Sequence, residues 1–166
     1  NAQAFERSID MLDSSIKEMR RVAHNMMPEI LVRYGLDSAL KEFCSEITRS
    51  GVTNITYQSI GMEGKEIEQT TAVTIYRIVQ ELVNNAIKHA AAKNILVQAH
   101  ATTADKLIAL TVEDDGKGFD KTILNSAKGM GWSNIKSRVE FLKGKIDVHS
   151  EKDKGTSVLI EINDAG

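Results

Sequence analysis

Three observations predict an α+β fold, with helices and a sheet stacked as a two-layer α/β domain. Apolar residues recur at helical period over 37–50, 69–91 and 131–143. Apolar and polar residues alternate at strand period over 52–59, 94–102, 106–114, 145–150 and 156–162. The two kinds of segment follow one another without regular βαβ alternation. A chain of 166 residues with 42% hydrophobic content suits one compact domain plus an appended helix.

That appended helix is expected over 3–27, where Phe5, Ile9, Leu12, Ile16, Met19, Ala23 and Met26 recur at spacings of four and three. The pattern is an a/d seam of about three heptads. It is marginal for a lone coiled coil, so a bundle helix is expected, ended by Pro28, the sole proline. A seam exposed on a truncated helix favours self-association. The next helix, 37–50, is amphipathic and carries the sole cysteine, Cys44, expected to be a small buried apolar residue that forms no intrachain disulfide.

The helix over 69–91 contains ELVNNAIKH at 81–89. Ile78, Val79, Leu82, Val83, Ala86, Ile87 and Ala90 form an apolar stripe that should face a core. Glu81, Asn85, Lys88 and His89 fall in one polar arc on the other side. A carboxylate, a carboxamide, an ammonium and an imidazole side by side suit a metal-bridged polyphosphate. Mg²⁺ takes hard oxygen ligands, few from protein and several from phosphate and water, and Asn85 offers one neutral oxygen. Lys88 and His89 offer donors to phosphate. A solvated polar face explains the same four residues equally well.

Residues 106–115, KLIALTVEDD, read as a half-buried strand running into Gly116 and Gly118. Such a glycine pair lets backbone turn sharply and approach a ligand without Cβ obstruction. Asp114 ends the strand, where its carboxylate can accept a hydrogen bond from an amine such as that of adenine. By itself DDGKG is also an ordinary turn. After a polar loop, Gly129, Met130 and Gly131 open the helix over 131–143, and a helix N-terminus offers free N–H groups to an anion. The spacing is neither that of a P-loop nor that of a strand-GxGxxG-helix dinucleotide site.

Taken in order, the N-box, DxGxG, GxG and then Gly155-Thr156 before a terminal strand resemble the ATP-binding domain of sensor histidine kinases of two-component systems. That family belongs to the Bergerat-fold (GHKL) ATPases, and the resemblance covers roughly 35–162. It implies a mixed sheet under three helices, with ATP and Mg²⁺ as cofactors. By position, Asn85 resembles the Mg²⁺ ligand, Lys88 and His89 phosphate contacts, and Asp114 the acid that reads adenine. Gly116 and Gly118 resemble the glycines shaping the base pocket, Gly129, Met130 and Gly131 those of a mobile lid, and Thr156 a residue near the base. Glu81 stands where relatives carry an acid or amide assigned as base or polariser. Trp132 stands where relatives often have leucine, and Lys143 where they have a second glycine; neither change removes a required group. The short lid favours the kinase branch over gyrase-type and chaperone-type relatives.

RRVAHNMMPEILVRYGLDSAL, 20–40, resembles the exit from a HisKA_3-like dimerisation bundle into the ATPase domain. The expected division is therefore 1–34 as bundle helix and junction and 35–166 as the catalytic domain. In that subfamily the acceptor histidine lies on the preceding helix and is followed by an acidic residue. His24, followed by Asn25, is therefore expected to be an ordinary helix histidine, and the acceptor to lie upstream. Asn1-Ala2 fits a truncation, so the chain is expected to be a fragment.

The function so implied is presentation of the γ-phosphoryl of Mg-ATP to a histidine of the dimerisation bundle, within a homodimer, for relay to a response regulator receiver domain. An anti-sigma-type serine kinase would share the ATP motifs but lack the heptad helix and the PEILxxxGL junction. A hydrolysing Bergerat ATPase would use Glu81 to activate water. An interaction module with a silent ATP site is the rival of a different class, opposed by intact Asn85, Asp114 and lid glycines. A net charge of −2 argues against nucleic acid as a partner. With no apolar run near ~18 residues and no signal-peptide pattern, a soluble cytoplasmic piece without membrane contact is expected. His100 and His149 lie in strand patterns without a partner at metal-ligand spacing and are expected to be structural or exposed.

Overall fold

A computed structural model of the chain describes residues 2–11, 28–104, 106–119 and 131–163. Residues 2–11 form helix α1, followed by α2 (Glu29–Tyr34), α3 (Leu36–Ser50), β1 (Asn54–Ile60), α4 (Gln69–Lys88), β2 (Asn94–Ala101), β3 (Leu107–Asp114), α5 (Trp132–Phe141), β4 (Lys145–Glu151) and β5 (Gly155–Asn163). Most of the expected helix over 3–27, with His24, and most of the lid, with Gly129 and Met130, lie outside the described residues.

The strands form one mixed sheet in the order β1-β2-β3-β5-β4. Only β1 and β2 run parallel; the other neighbouring pairs are antiparallel. Side chains alternate across a pleated strand, so one residue in two faces the helices. Ile95, Val97, Ala99 and Ala101 of β2 are buried, as are Ile108, Leu110 and Val112 of β3 and Val158, Ile160 and Ile162 of β5. The register stacks these into rows, Val97–Val112–Val158–Val148 and Ala99–Leu110–Ile160–Ile146. Against them lies the stripe of α4, with Ile75, Ile78, Val79 and Val83 fully buried, beside Leu40 of α3 and Ile135 of α5. The outward side of β2 carries Gln98, whose amide Nε2 donates to Gln58 Oε1 of β1 at 2.9 Å, and His100 is exposed. This is the expected two-layer α+β domain.

Cys44 is 1% exposed, and burial pushes its thiol up to about 12. A thiol so raised holds almost no thiolate near neutrality. In the native protein it should therefore stay unmodified by a disulfide reagent and react only when denaturant is added. A thiol that titrates at once in buffer would contradict this placement.

One helix was not expected and one boundary differs. Pro28 sits at the N-cap of α2, and its carbonyl accepts the N–H of Leu31 and Val32; the end of the helix that it was expected to close lies outside the described residues. α2 packs Leu31 into the common core, and Gly35, at φ 91°, separates it from α3. α4 stops at Lys88 rather than 91, because Asn85 O accepts both His89 and Ala90 N–H and the chain reverses at Ala91, φ 50°. α1 is exposed along its length, with Phe5 and Ile9 of the heptad seam uncovered. Among the described residues no helix is long and apolar enough to cross a membrane.

Candidate functional site

The row beyond Val97–Val112–Val158–Val148 keeps the same face of the sheet but changes character: Ile95, Asp114, Thr156 and Ser150 stand side by side across β2, β3, β5 and β4. Asp114 and Thr156, polar on an otherwise apolar face, line a cleft, and Ser150 supports Thr156 beside it. α4 and the turn after it contribute Leu82, Asn85, Ala86, His89 and Ala90, and Phe119 and Trp132 add an aromatic wall, with Val112, Gly118 and Val158 completing the lining. The cavity that these residues enclose is narrow, about 30 Å³.

Each polar group of the floor is held from behind. The Gly116 N–H donates to Asp114 Oδ1 at 2.8 Å. Ser150 Oγ lies 2.8 Å from Thr156 Oγ1 and accepts the Phe119 N–H at 2.8 Å, which ties the aromatic wall to the floor. Asp115 turns away from the cleft and accepts the N–H groups of Lys93 and Asn94 on Oδ1, both at 2.9 Å, fixing the loop that follows α4. The loop after β3 is drawn onto α4 by Lys117 N–H to Ala90 O at 2.8 Å.

This contact explains the glycines. A Cβ on Gly116 would come within 2.5 Å of Ala90 O, and one on Gly118 would run into the carbonyl of Glu151. Gly118 also sits at φ 63°, a conformation side chains disfavour. Gly118→Ala is therefore expected to lower stability by about 2–4 kcal/mol and to misplace Phe119. A melting curve that matches wild type would contradict it.

Burial pushes the Asp114 carboxyl above its ordinary range, against the opposing pull of the Gly116 and Thr156 backbone N–H groups. An acid whose folded pKa is raised costs folding stability as pH rises through that pKa, because the folded state holds the proton more tightly. Ligand binding to the carboxylate runs the other way. Affinity for an amine-bearing base should fall as pH drops, with a midpoint above 3.8. Dissociation constants measured between about pH 4 and pH 7 check this, and a flat profile would exclude the carboxylate as acceptor.

Of the residues singled out in sequence, Asn85, His89, Asp114, Gly118 and Thr156 meet in the cleft. Lys88 is exposed at the end of α4 and is not part of the lining; Gly116 lies behind the wall, against Ala90. The Glu81 carboxylate rests against Gly131, the left-handed N-cap of α5, where a Cβ would strike Oε1. Ser150 and the apolar walls were not identified from sequence. Phe119, next to DDGKG, was the one neighbour whose position could have suggested it.

The Asn85 Nδ2 is buried without a hydrogen-bond partner among the described residues. Amide oxygen and nitrogen are assigned by their partners, so an amide lacking any can turn its oxygen to the cleft. One neutral oxygen fits Mg²⁺, which draws its other ligands from phosphate and water. Among the described residues no group of three His, Cys, Asp or Glu side chains could hold a metal by itself.

Residues 70–166 match the family described as histidine kinase-, DNA gyrase B-, and HSP90-like ATPase. The chain is 30% identical over 160 residues to the sensor histidine kinase MctS of Rhizobium johnstonii, covering 95% of this chain and 34% of that protein. It is 28% identical over 152 residues to the histidine-protein kinase/phosphatase DegS of Brevibacillus brevis, covering 92% and 38%. The chain thus spans little more than a third of the length of these curated relatives. Among solved structures, the histidine kinase domain of the blue-light activated histidine kinase of Erythrobacter litoralis matches with a TM-score of 0.64 and 25% identity, over 78% of this chain and 61% of that one. The catalytic domain of histidine kinase ThkA matches with a TM-score of 0.58 over 78% of this chain and 90% of that one; at 18% identity it supports the fold alone.

Proposed function

The chain belongs to the histidine kinase-, DNA gyrase B-, and HSP90-like ATPase family, as an ATP-binding domain of the histidine kinase kind, and from that we propose that it presents the γ-phosphoryl of Mg-ATP to a histidine of a dimerisation bundle. The observation that carries this proposal is the convergence of Asp114, Thr156 and Asn85 on one cleft closed by an aromatic wall. Asn85 would hold Mg²⁺ through its amide oxygen, and the ion would supply charge neutralisation to the polyphosphate.

The residues divide the work. Asp114 accepts a hydrogen bond from the exocyclic amine of adenine, Thr156 lies beside the base, and Gly116 and Gly118 let the backbone close around it. Asn85 turns its amide oxygen toward the phosphate end, where it would hold the metal. Lys88 and His89, at the C-terminal end of α4, supply donors to phosphate. Glu81, one turn before Asn85 on α4, rests its carboxylate against the start of α5, where it can polarise the group that receives the phosphoryl. Charge neutralisation and positioning then suffice for transfer, with no protein nucleophile in this domain.

Residues 1–34 serve as bundle helix and junction and 35–166 as the catalytic domain. The acceptor lies on a helix upstream of this chain, in a homodimer formed through the a/d seam, and the phosphoryl passes on to an aspartate of a receiver domain. Curated relatives named as histidine kinases support this over a serine kinase. Titration with Mg-ATP and Mg-ADP, followed by emission of Trp132, the sole tryptophan, tests the nucleotide site. A saturable change is expected, and a folded sample that shows none in fluorescence or calorimetry would favour a silent interaction module.

A further inference from the structure

We propose that the indole N–H of Trp132 is a specificity-determining donor of the cleft, hydrogen-bonding an unprotonated ring nitrogen of the purine whose amine Asp114 accepts. This rests on the nucleotide site proposed above. Trp132 is 2% exposed and lines the cleft. Its Nε1 and the Asn85 Nδ2 are the two buried side-chain polar atoms without a partner among the described residues, and both residues line the same space.

An indole N–H only donates, and a buried donor left unmade is costly, whereas an all-carbon side chain would fill the same wall without that cost. The kind of acceptor follows from the surroundings. The Trp132 ring packs on Phe119 with centroids 5.6 Å apart and an interplanar angle of 53°. It shares its cleft with Val112 and Val158. A neutral donor among apolar walls suits a neutral ring nitrogen better than a phosphate oxygen, whose charge would be desolvated there. Asp114 as acceptor and Trp132 as donor would then read adenine as a pair, one on its amine and the other on its ring.

The test replaces single ring nitrogens of the ligand. Wild type is titrated by calorimetry with ATP and with its 1-deaza, 3-deaza and 7-deaza analogues, and Trp132→Phe with the same set. One analogue is expected to bind about five- to tenfold more weakly than ATP in wild type, and that penalty should vanish in Trp132→Phe. The single indole N–H resonance of ¹⁵N-labelled wild type gives a second readout that needs no variant: it should move downfield with ATP and not with the sensitive analogue. Equal binding of all four ligands, a penalty that persists in Trp132→Phe, or an indole resonance that ignores ATP would overturn the inference. Failure of ATP itself to bind would overturn the nucleotide site on which it rests.

Discussion

Asp114→Asn is expected to weaken ATP binding about a hundredfold while leaving the fold intact. The carboxylate offers acceptors in several directions, already spending some on the Gly116 and Thr156 backbone N–H groups. An amide has one oxygen and one NH₂, so either a backbone donor or the adenine amine must face a donor. Losing a charge-assisted hydrogen bond and leaving a donor opposed costs about 2–3 kcal/mol, which is roughly a factor of 100 in affinity. Burial already penalises the charged form of Asp114, so removing the charge relieves part of that strain on folding. The melting temperature should therefore stay within about 3 °C of wild type. Unchanged affinity would move the adenine contact elsewhere, and a collapsed melting curve would make the residue structural.

Asn85→Ala should separate function from stability more sharply. Its Nδ2 is buried without a partner among the described residues, so truncation removes an unsatisfied group rather than a bond. Stability is expected to be unchanged or slightly higher, in the manner of functional groups held at a cost to the fold. Phosphoryl transfer in the full-length protein is expected to fall by at least about a hundredfold, because the amide oxygen would hold the ion that neutralises the transferred phosphate. Calorimetry with ATP should show a smaller loss than the transfer assay, since the base and its pocket are untouched. A variant that transfers normally, or that melts well below wild type, contradicts the assigned role.

The fold was legible where side-chain period is strong. The stripe of α4 and the alternation in β2, β3 and β5 place their buried residues as read, because one buried face forces one register of polarity. The strand order was not legible from period alone: nothing local says that β5 inserts between β3 and β4, or that β1 pairs parallel to β2. The end of α4 was misplaced because its stop is made without glycine, at Ala91, and the short helix α2 was missed because Pro28 reads as a stop and not as a start.

The polar residues of the cleft were legible by type and spacing. Their walls were not, because a residue lining an apolar cleft and one filling a core have the same pattern. Leu82, Ala86 and Ala90 read as core and line the site. Trp132 reads as a residue beside a lid and is buried against Phe119. Ser150 carried no signal of its own, since its role comes from a register that brings it beside Thr156.

The phosphoryl group is proposed to pass to histidine rather than to serine or water. Incubating the full-length protein with γ-labelled ATP, then splitting the labelled product between acid and alkali, tests it most directly. The expected result is label on protein that acid removes and alkali does not, absent in Asn85→Ala and mapped to a bundle histidine upstream of residue 1. Acid-stable label, release of free phosphate without labelled protein, or acid-labile label that disappears with His24→Ala would each contradict the mechanism as stated.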